Sequence, residues 1–109
     1  MLAKKYRLRK KRDIEKVLKK GKSQTKDFLF LKFFANDLGK TRVGFIVSRR
    51  ISTKAVVRNK IKRRLREAVK IYLPGFKSGY DLVFFARPGI DKKTFPEIKK
   101  TVEELIRKM

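Results

Sequence analysis

The stretch AVVRNKIKRRLREAVK, residues 55–70, carries seven cations against one carboxylate, Glu67. The cations are Arg58, Lys60, Lys62, Arg63, Arg64, Arg66 and Lys70. Side chains of this type at this density suit one kind of chemistry, the neutralisation of phosphates. Each donates charge-assisted hydrogen bonds and displaces condensed counterions from a nucleic-acid backbone. At about 100° per residue, Val57, Ile61, Leu65, Ala68 and Tyr72 fall in one arc of a helix, the expected core side. Arg58, Lys62 and Arg66 recur at i, i+4 and i+8 beside that arc, continued by Asn59, Arg63 and Lys70, while Lys60 and Arg64 lie beyond. Like charges at i, i+4 each destabilise a helix by about 0.2–0.5 kcal/mol, a cost that solubility alone does not require. A charge run is ordinarily a solvated face. Here Glu67 is the sole acid between Leu38 and Tyr80, so whatever neutralises this face lies outside the chain.

Other residues fit the same chemistry. The amino end of this helix, near Ser52 and Thr53, follows Arg49 and Arg50 and is a natural phosphate site. In FLFLKFFA, residues 28–35, Phe30, Lys32 and Phe34 alternate, so one strand face could stack unpaired bases and grip their backbone. Core packing is the competing role for each phenylalanine. Lys32, a cation inside such a strand, is expected to face a wet groove. RNA is favoured over DNA, because no helix-turn-helix, zinc finger or basic zipper is present to read a major groove.

Catalysis by the chain itself is not expected. There is no histidine and no cysteine, which excludes imidazole acid–base chemistry, thiolates and disulfides. The ten acids are scattered, whereas a two-metal site needs several that converge. No protein metal site can be assigned.

These groups are carried by a chain of 109 residues, the size of a single domain. With 41% hydrophobic residues it has the apolar material for one core. Its formal charge of +23 attracts polyanions. Residues 1–8 read as a flexible basic arm. A short helix from about Arg9, with Ile14, Val17 and Leu18 inward, is ended by Gly21. Strands are predicted over 28–35, 42–48 and 80–87, the first two joined as a hairpin through NDLGK. The basic helix, capped by Ser52 or Thr53, runs to about Tyr72, and PGFKSG is a loop. A last helix begins with a capping box, Thr94 with Glu97. The order helix, strand, strand, helix, strand, helix describes an α+β domain around one sheet. No apolar leader core or membrane span is legible, and a cytoplasmic protein is expected.

The run VGFIVSRRISTKAVVRNKIKRRLREAV, residues 43–69, resembles the signature of the bacterial ribonuclease P protein component, in which an Arg-Asn-Arg motif opens a basic helix. RLRKKRDIEKVLKKGKS and GYDLVFFAR extend the likeness over nearly the whole chain. The resemblance implies an α/β sandwich of a four-stranded sheet and three helices, with a left-handed βαβ crossover through the basic helix and a topology shared with a ribosomal small-subunit protein domain. It implies an RNA-binding subunit that helps a catalytic RNA remove the 5′ leader of precursor tRNA. No catalytic residue is expected in the protein, and Mg²⁺ is held mainly by the RNA. Catalytic-RNA contacts fall on Arg58, Asn59, Lys60, Lys62, Arg63 and Arg66. Leader contacts fall on Ile14, Leu18, Phe30, Lys32, Arg49, Arg50 and Arg87. The partners implied are that RNA and precursor tRNA, with no membrane and no obligate protein partner. Three positions depart from the pattern. Lys60 replaces the usual arginine, Ile14 and Leu18 replace frequent phenylalanines, and RRISTKA lacks a glycine. The rival reading is a general structured-RNA-binding protein of ribosomal or chaperone type, which would not distinguish a leader. A DNA-compacting protein or a membrane-surface role fits less well.

Overall fold

The computed structural model describes residues 7–36, 38–72 and 79–109. Most of the expected amino-terminal arm and of the PGFKSG loop lies outside them. The elements run α1 (Lys11–Lys20), β1 (Lys22–Lys26), β2 (Leu29–Ala35), β3 (Arg42–Ile46), α2 (Ala55–Tyr72), β4 (Tyr80–Ala86), a 3₁₀ turn (Ile90–Lys92) and α3 (Phe95–Arg107). Three helices and a four-stranded mixed sheet form one compact domain, with strand order β1-β2-β4-β3.

Two strand expectations are corrected. The fourth strand, absent from the three predicted at 28–35, 42–48 and 80–87, is KSQTK at 22–26, directly after α1. It is an edge strand without an apolar alternation, so periodicity could not reveal it. The expected hairpin between residues 28–35 and 42–48 does not form. β4 lies between β2 and β3, antiparallel to the first and parallel to the second. Its run from Asp81 to Phe84 is buried, as a central strand requires. The tight hairpin is instead β1–β2, turned at Asp27 with a left-handed φ of 51°.

Side-chain alternation divides the core by sheet face. Leu29, Leu31, Val43, Leu82 and Phe84 pack under α2 and α3 with Ile61, Leu65, Ala68, Ile98, Val102 and Leu105. The other face carries Val83 with Leu8 and Val17, against which Ile14, Phe34, Ile46 and Phe85 pack. α1 alone among the helices lies on that second face. Its one fully buried residue is Val17, worth roughly 1.5–3 kcal/mol of apolar burial. Polar ties therefore weigh heavily in seating it.

Helix ends follow local chemistry. The capping box at α3 is present, with Thr94 N–H donating to Glu97 Oε1 at 3.0 Å and Glu97 N–H to Thr94 Oγ1 at 3.4 Å. These donors hold the Glu97 carboxyl below its ordinary range. α2 starts at Ala55, later than a Ser52 or Thr53 cap would place it; the Ser52 hydroxyl accepts from the Lys54 amide in the preceding loop. Gly21 does close α1, but its φ is −75°, so it is not there for a left-handed turn. A Cβ at that position would meet the Val17 carbonyl oxygen at 2.4 Å and that of Phe33 at 2.8 Å, and only glycine allows the approach.

Candidate nucleic-acid interface

α2 turns its apolar arc inward as expected, with Ile61, Leu65, Ala68 and Val69 buried. Asn59, Lys60, Arg63, Glu67 and Lys70 are exposed. Arg58, Lys62 and Arg66 form a half-buried row along one flank, and Arg64 lies on the other. The Arg58 guanidinium donates to the Ser52 carbonyl at 3.0 Å, fastening the start of the helix to its loop. Arg64 reaches the Lys93 carbonyl at 3.3 Å, on the 3₁₀ side. Val56 stands 80% exposed beside these cations, an apolar knob that the wheel did not single out.

Of the residues expected at the leader, Ile14, Phe30 and Lys32 lie on the opposite sheet face. Ile14 is half-buried on α1 against the Leu8–Val17–Val83 cluster. Leu18 is half-buried in the last turn. Phe30 pairs edge-on with Phe85, ring centroids 5.6 Å apart, and register places the two directly across β2 and β4. Phe85 is a member of this strip that sequence reasoning missed. The signal was its place two residues beyond Val83 in a strand whose faces alternate.

Lys32 behaves differently from the expectation of a cation in open groove. Its ammonium donates to the Leu18 carbonyl at 2.7 Å, where the negative end of the α1 dipole favours positive charge. At the other end of α1, Asp13 lies 3.3 Å from Arg42, which also holds Asp81 through Nε at 2.9 Å and Nη2 at 2.7 Å. Asp81 is buried, and its hydrogen bonds raise the Arg42 pKa further. This network went unread, although an aspartate in YDLVFFAR signals a buried ion pair. α1 is thus tied down across Arg42, Asp81 and Lys32, leaving Phe30, Phe85 and Ile46 toward the other end of the sheet.

Three exposed arginines follow the strands at that end. Ile46 pairs with Phe85, so the chain leaves β3 beside the end of β4. Arg49 and Arg50 follow in an exposed turn closed by Ile51 N–H to Ser48 O. Arg87 follows β4, exposed, its Nη1 donating to the Asp27 carbonyl at 3.4 Å. Aromatic rings between guanidinium groups can stack bases and hold phosphates. Among the described residues no three acids converge as metal ligands, and Asp13 and Asp81 both grip Arg42.

A small basic α/β domain with an exposed cationic helix is, by class, built to bind nucleic acid. The Ribonuclease P family model matches residues 2–109. The ribonuclease P protein component of Syntrophomonas wolfei is 39% identical over 108 residues, covering 99% of this chain and 90% of that protein. The RNase P protein of Staphylococcus aureus superposes with a TM-score of 0.86 at 29% identity, covering 94% of this chain and 93% of the other. That of Thermotoga maritima gives 0.86 at 28% identity, covering 94% and 96%. The chain belongs to the ribonuclease P protein family, the RNA-binding subunits of the endoribonuclease that matures the 5′ end of tRNA.

Proposed function

We propose that the chain bridges a catalytic RNA and the leader of precursor tRNA, using opposite sides of its sheet. The observation that carries this reading is the separation of the two surfaces. The cationic face belongs to α2, above Leu31 and Phe84, whereas Phe30 and Phe85 belong to the α1 side. Arg58, Asn59, Lys60, Lys62, Arg63 and Arg66 would meet the catalytic RNA. Ile14, Leu18, Phe30, Arg49, Arg50 and Arg87 would line the leader path, with Lys32 setting the position of α1.

The protein supplies binding and not bond cleavage. Its cations offset phosphate repulsion between the two RNAs, which lowers the Mg²⁺ that assembly requires. Mg²⁺ is assigned mainly to the RNA, and the protein's work is electrostatic and positional. Ile14 and Leu18, where aromatics would stack, offer plain apolar contact, and the stacking falls to Phe30 and Phe85. The expected setting is the cytoplasm, with precursor tRNA as substrate.

The test is cleavage of a leader-bearing precursor by a bacterial ribonuclease P RNA at low Mg²⁺, with the protein, without it, and with the protein alone. RNA-dependent cleavage that rises sharply on adding the protein is expected. Binding of both RNAs with no stimulation would replace this reading with a general RNA-binding role.

A further inference from the structure

We propose that Thr25 is a further leader-binding residue, the outer end of a row that carries the leader across all four strands, and that its hydroxyl pairs with a ribose 2′-hydroxyl. The inference rests on the reading of the α1 side of the sheet as the leader surface and extends it to β1. Thr25 stands directly across from Phe30, Phe30 from Phe85, and Phe85 from Ile46. Residues paired in this way share one face of the sheet. With strands about 4.8 Å apart, the row spans roughly 14 Å. Its three apolar members are half-buried, and Thr25 is exposed. Arg87 donates to the carbonyl of Asp27, two residues past Thr25, so a guanidinium stands at the turn beside this end of the row.

The two faces of β1 differ. On the α3 side, Gln24 donates to the Lys108 carbonyl at 2.8 Å and Lys26 pairs with Glu104 at 3.2 Å. On the α1 side, Ser23 and Thr25 are exposed, and among the described residues neither hydroxyl has a hydrogen-bond partner within the chain. Edge strands are commonly guarded by lysine. Here strand alternation turns Lys22 and Lys26 to the α3 side, and only short side chains stand beside the Phe30 ring. The other edge of the sheet is covered, because residues 7 and 8, expected in a flexible arm, are fastened to β3, with Leu8 N–H donating to the Val43 carbonyl at 2.8 Å. A threonine hydroxyl both donates and accepts, as a ribose 2′-hydroxyl does, so an RNA strand laid over Phe30 finds a matched partner at Thr25 that DNA lacks.

The full chain is assembled with a bacterial ribonuclease P RNA, and affinity for precursor tRNA is measured for the unaltered protein, Thr25→Val and Phe30→Ala, each with an all-ribose and a deoxyribose leader. Valine keeps the branched shape and strand preference of threonine and removes the hydroxyl. Thr25→Val should weaken binding of the ribose leader about threefold to tenfold and leave binding of the deoxyribose leader unchanged. Equal weakening of both leaders, or of neither while Phe30→Ala still weakens the precursor, would overturn the role of Thr25 and keep the leader surface. If neither variant weakens the precursor, the leader surface itself falls and Thr25 with it. Because the chain has no cysteine, Thr25→Cys and Ser48→Cys each take a photocrosslinker at a single site, one on β1 and the other just past β3. The two labels should mark different leader nucleotides. Marking of the same nucleotide, or of the catalytic RNA alone, would overturn the crossing.

Discussion

The Lys32 ammonium and the Leu18 carbonyl, 2.7 Å apart, tie the middle of β2 to the last turn of α1. Lys32→Met keeps the apolar stem and removes the donor. A loss of about 1–2 kcal/mol in stability is expected, since the bond is charge-assisted and only partly buried. Urea unfolding measures it, and an unchanged midpoint would show that the tie carries no weight. Precursor affinity should fall in the same variant as α1 shifts, with affinity for the catalytic RNA nearly kept.

Arg42, on the edge strand β3, joins α1 to the inner strand β4 through Asp13 and Asp81. Arg42→Ala leaves the buried Asp81 carboxylate without its cation and should cost about 3 kcal/mol. Restoring the charge as Arg42→Lys should recover only part, because a single ammonium cannot reproduce the forked contact. Thermal melts of the two variants side by side decide the matter; equal losses would contradict the role given to the fork.

Arg63 and Arg58 sit on the same helix but differ in their protein contacts. Arg63→Ala should leave the melting temperature unchanged, weaken catalytic-RNA binding, and lower the slope of log affinity against log salt by about 0.7–0.9. Arg58→Ala should lower both stability and affinity, because its guanidinium also holds the Ser52 carbonyl. If the two variants melt alike, Arg58 has no structural share.

Phe30 and Phe85, both half-buried, stack edge to face on the α1 side of the sheet. Phe30→Ala should weaken binding of a precursor with a leader several nucleotides long by about 1–3 kcal/mol, and binding of mature tRNA hardly at all. Fluorescence titration with both RNAs distinguishes leader contact from a general loss.

Glu97 accepts from the backbone and hydroxyl of Thr94, so its folded pKa lies below the ordinary value of 4.5. A depressed carboxyl stabilises the fold above the unfolded value and loses that contribution as pH falls through the folded one. Glu97→Gln should therefore melt below the unaltered chain at neutral pH, and the gap should close under acid conditions. A gap that persisted at pH about 3 would assign the effect to hydrogen bonding alone.

Much of this could be read from residue order. The α3 capping box, the apolar arc of α2 and the strands at β2 and β4 rest on local chemistry that short windows contain. β1 could not be found that way, because KSQTK is polar on both faces and is a strand only through its pairing with β2. The insertion of β4 between β2 and β3 is likewise a long-range fact, invisible to a pattern that favours hairpins between neighbours. Gly21 was placed correctly for an incomplete reason, since its need is space and not a left-handed backbone. The exposed cations of α2 were legible because nothing else explains them. The partners of Lys32 and Arg42 were not, because a side chain's burial depends on which helix lies over it.

The acids of the chain are unevenly placed. α3 carries as many carboxylates as cations, while α2 beside it carries seven cations and one carboxylate. Across the helical layer, then, potential rises from the β1 edge toward the β3 edge. Such a molecule behaves as a dipole in the field of a polyanion, and torque turns it before contact. On the proposed reading, encounters with RNA are expected to begin with the β3 edge leading, so that the interface is chosen during approach and fewer collisions end in the wrong orientation.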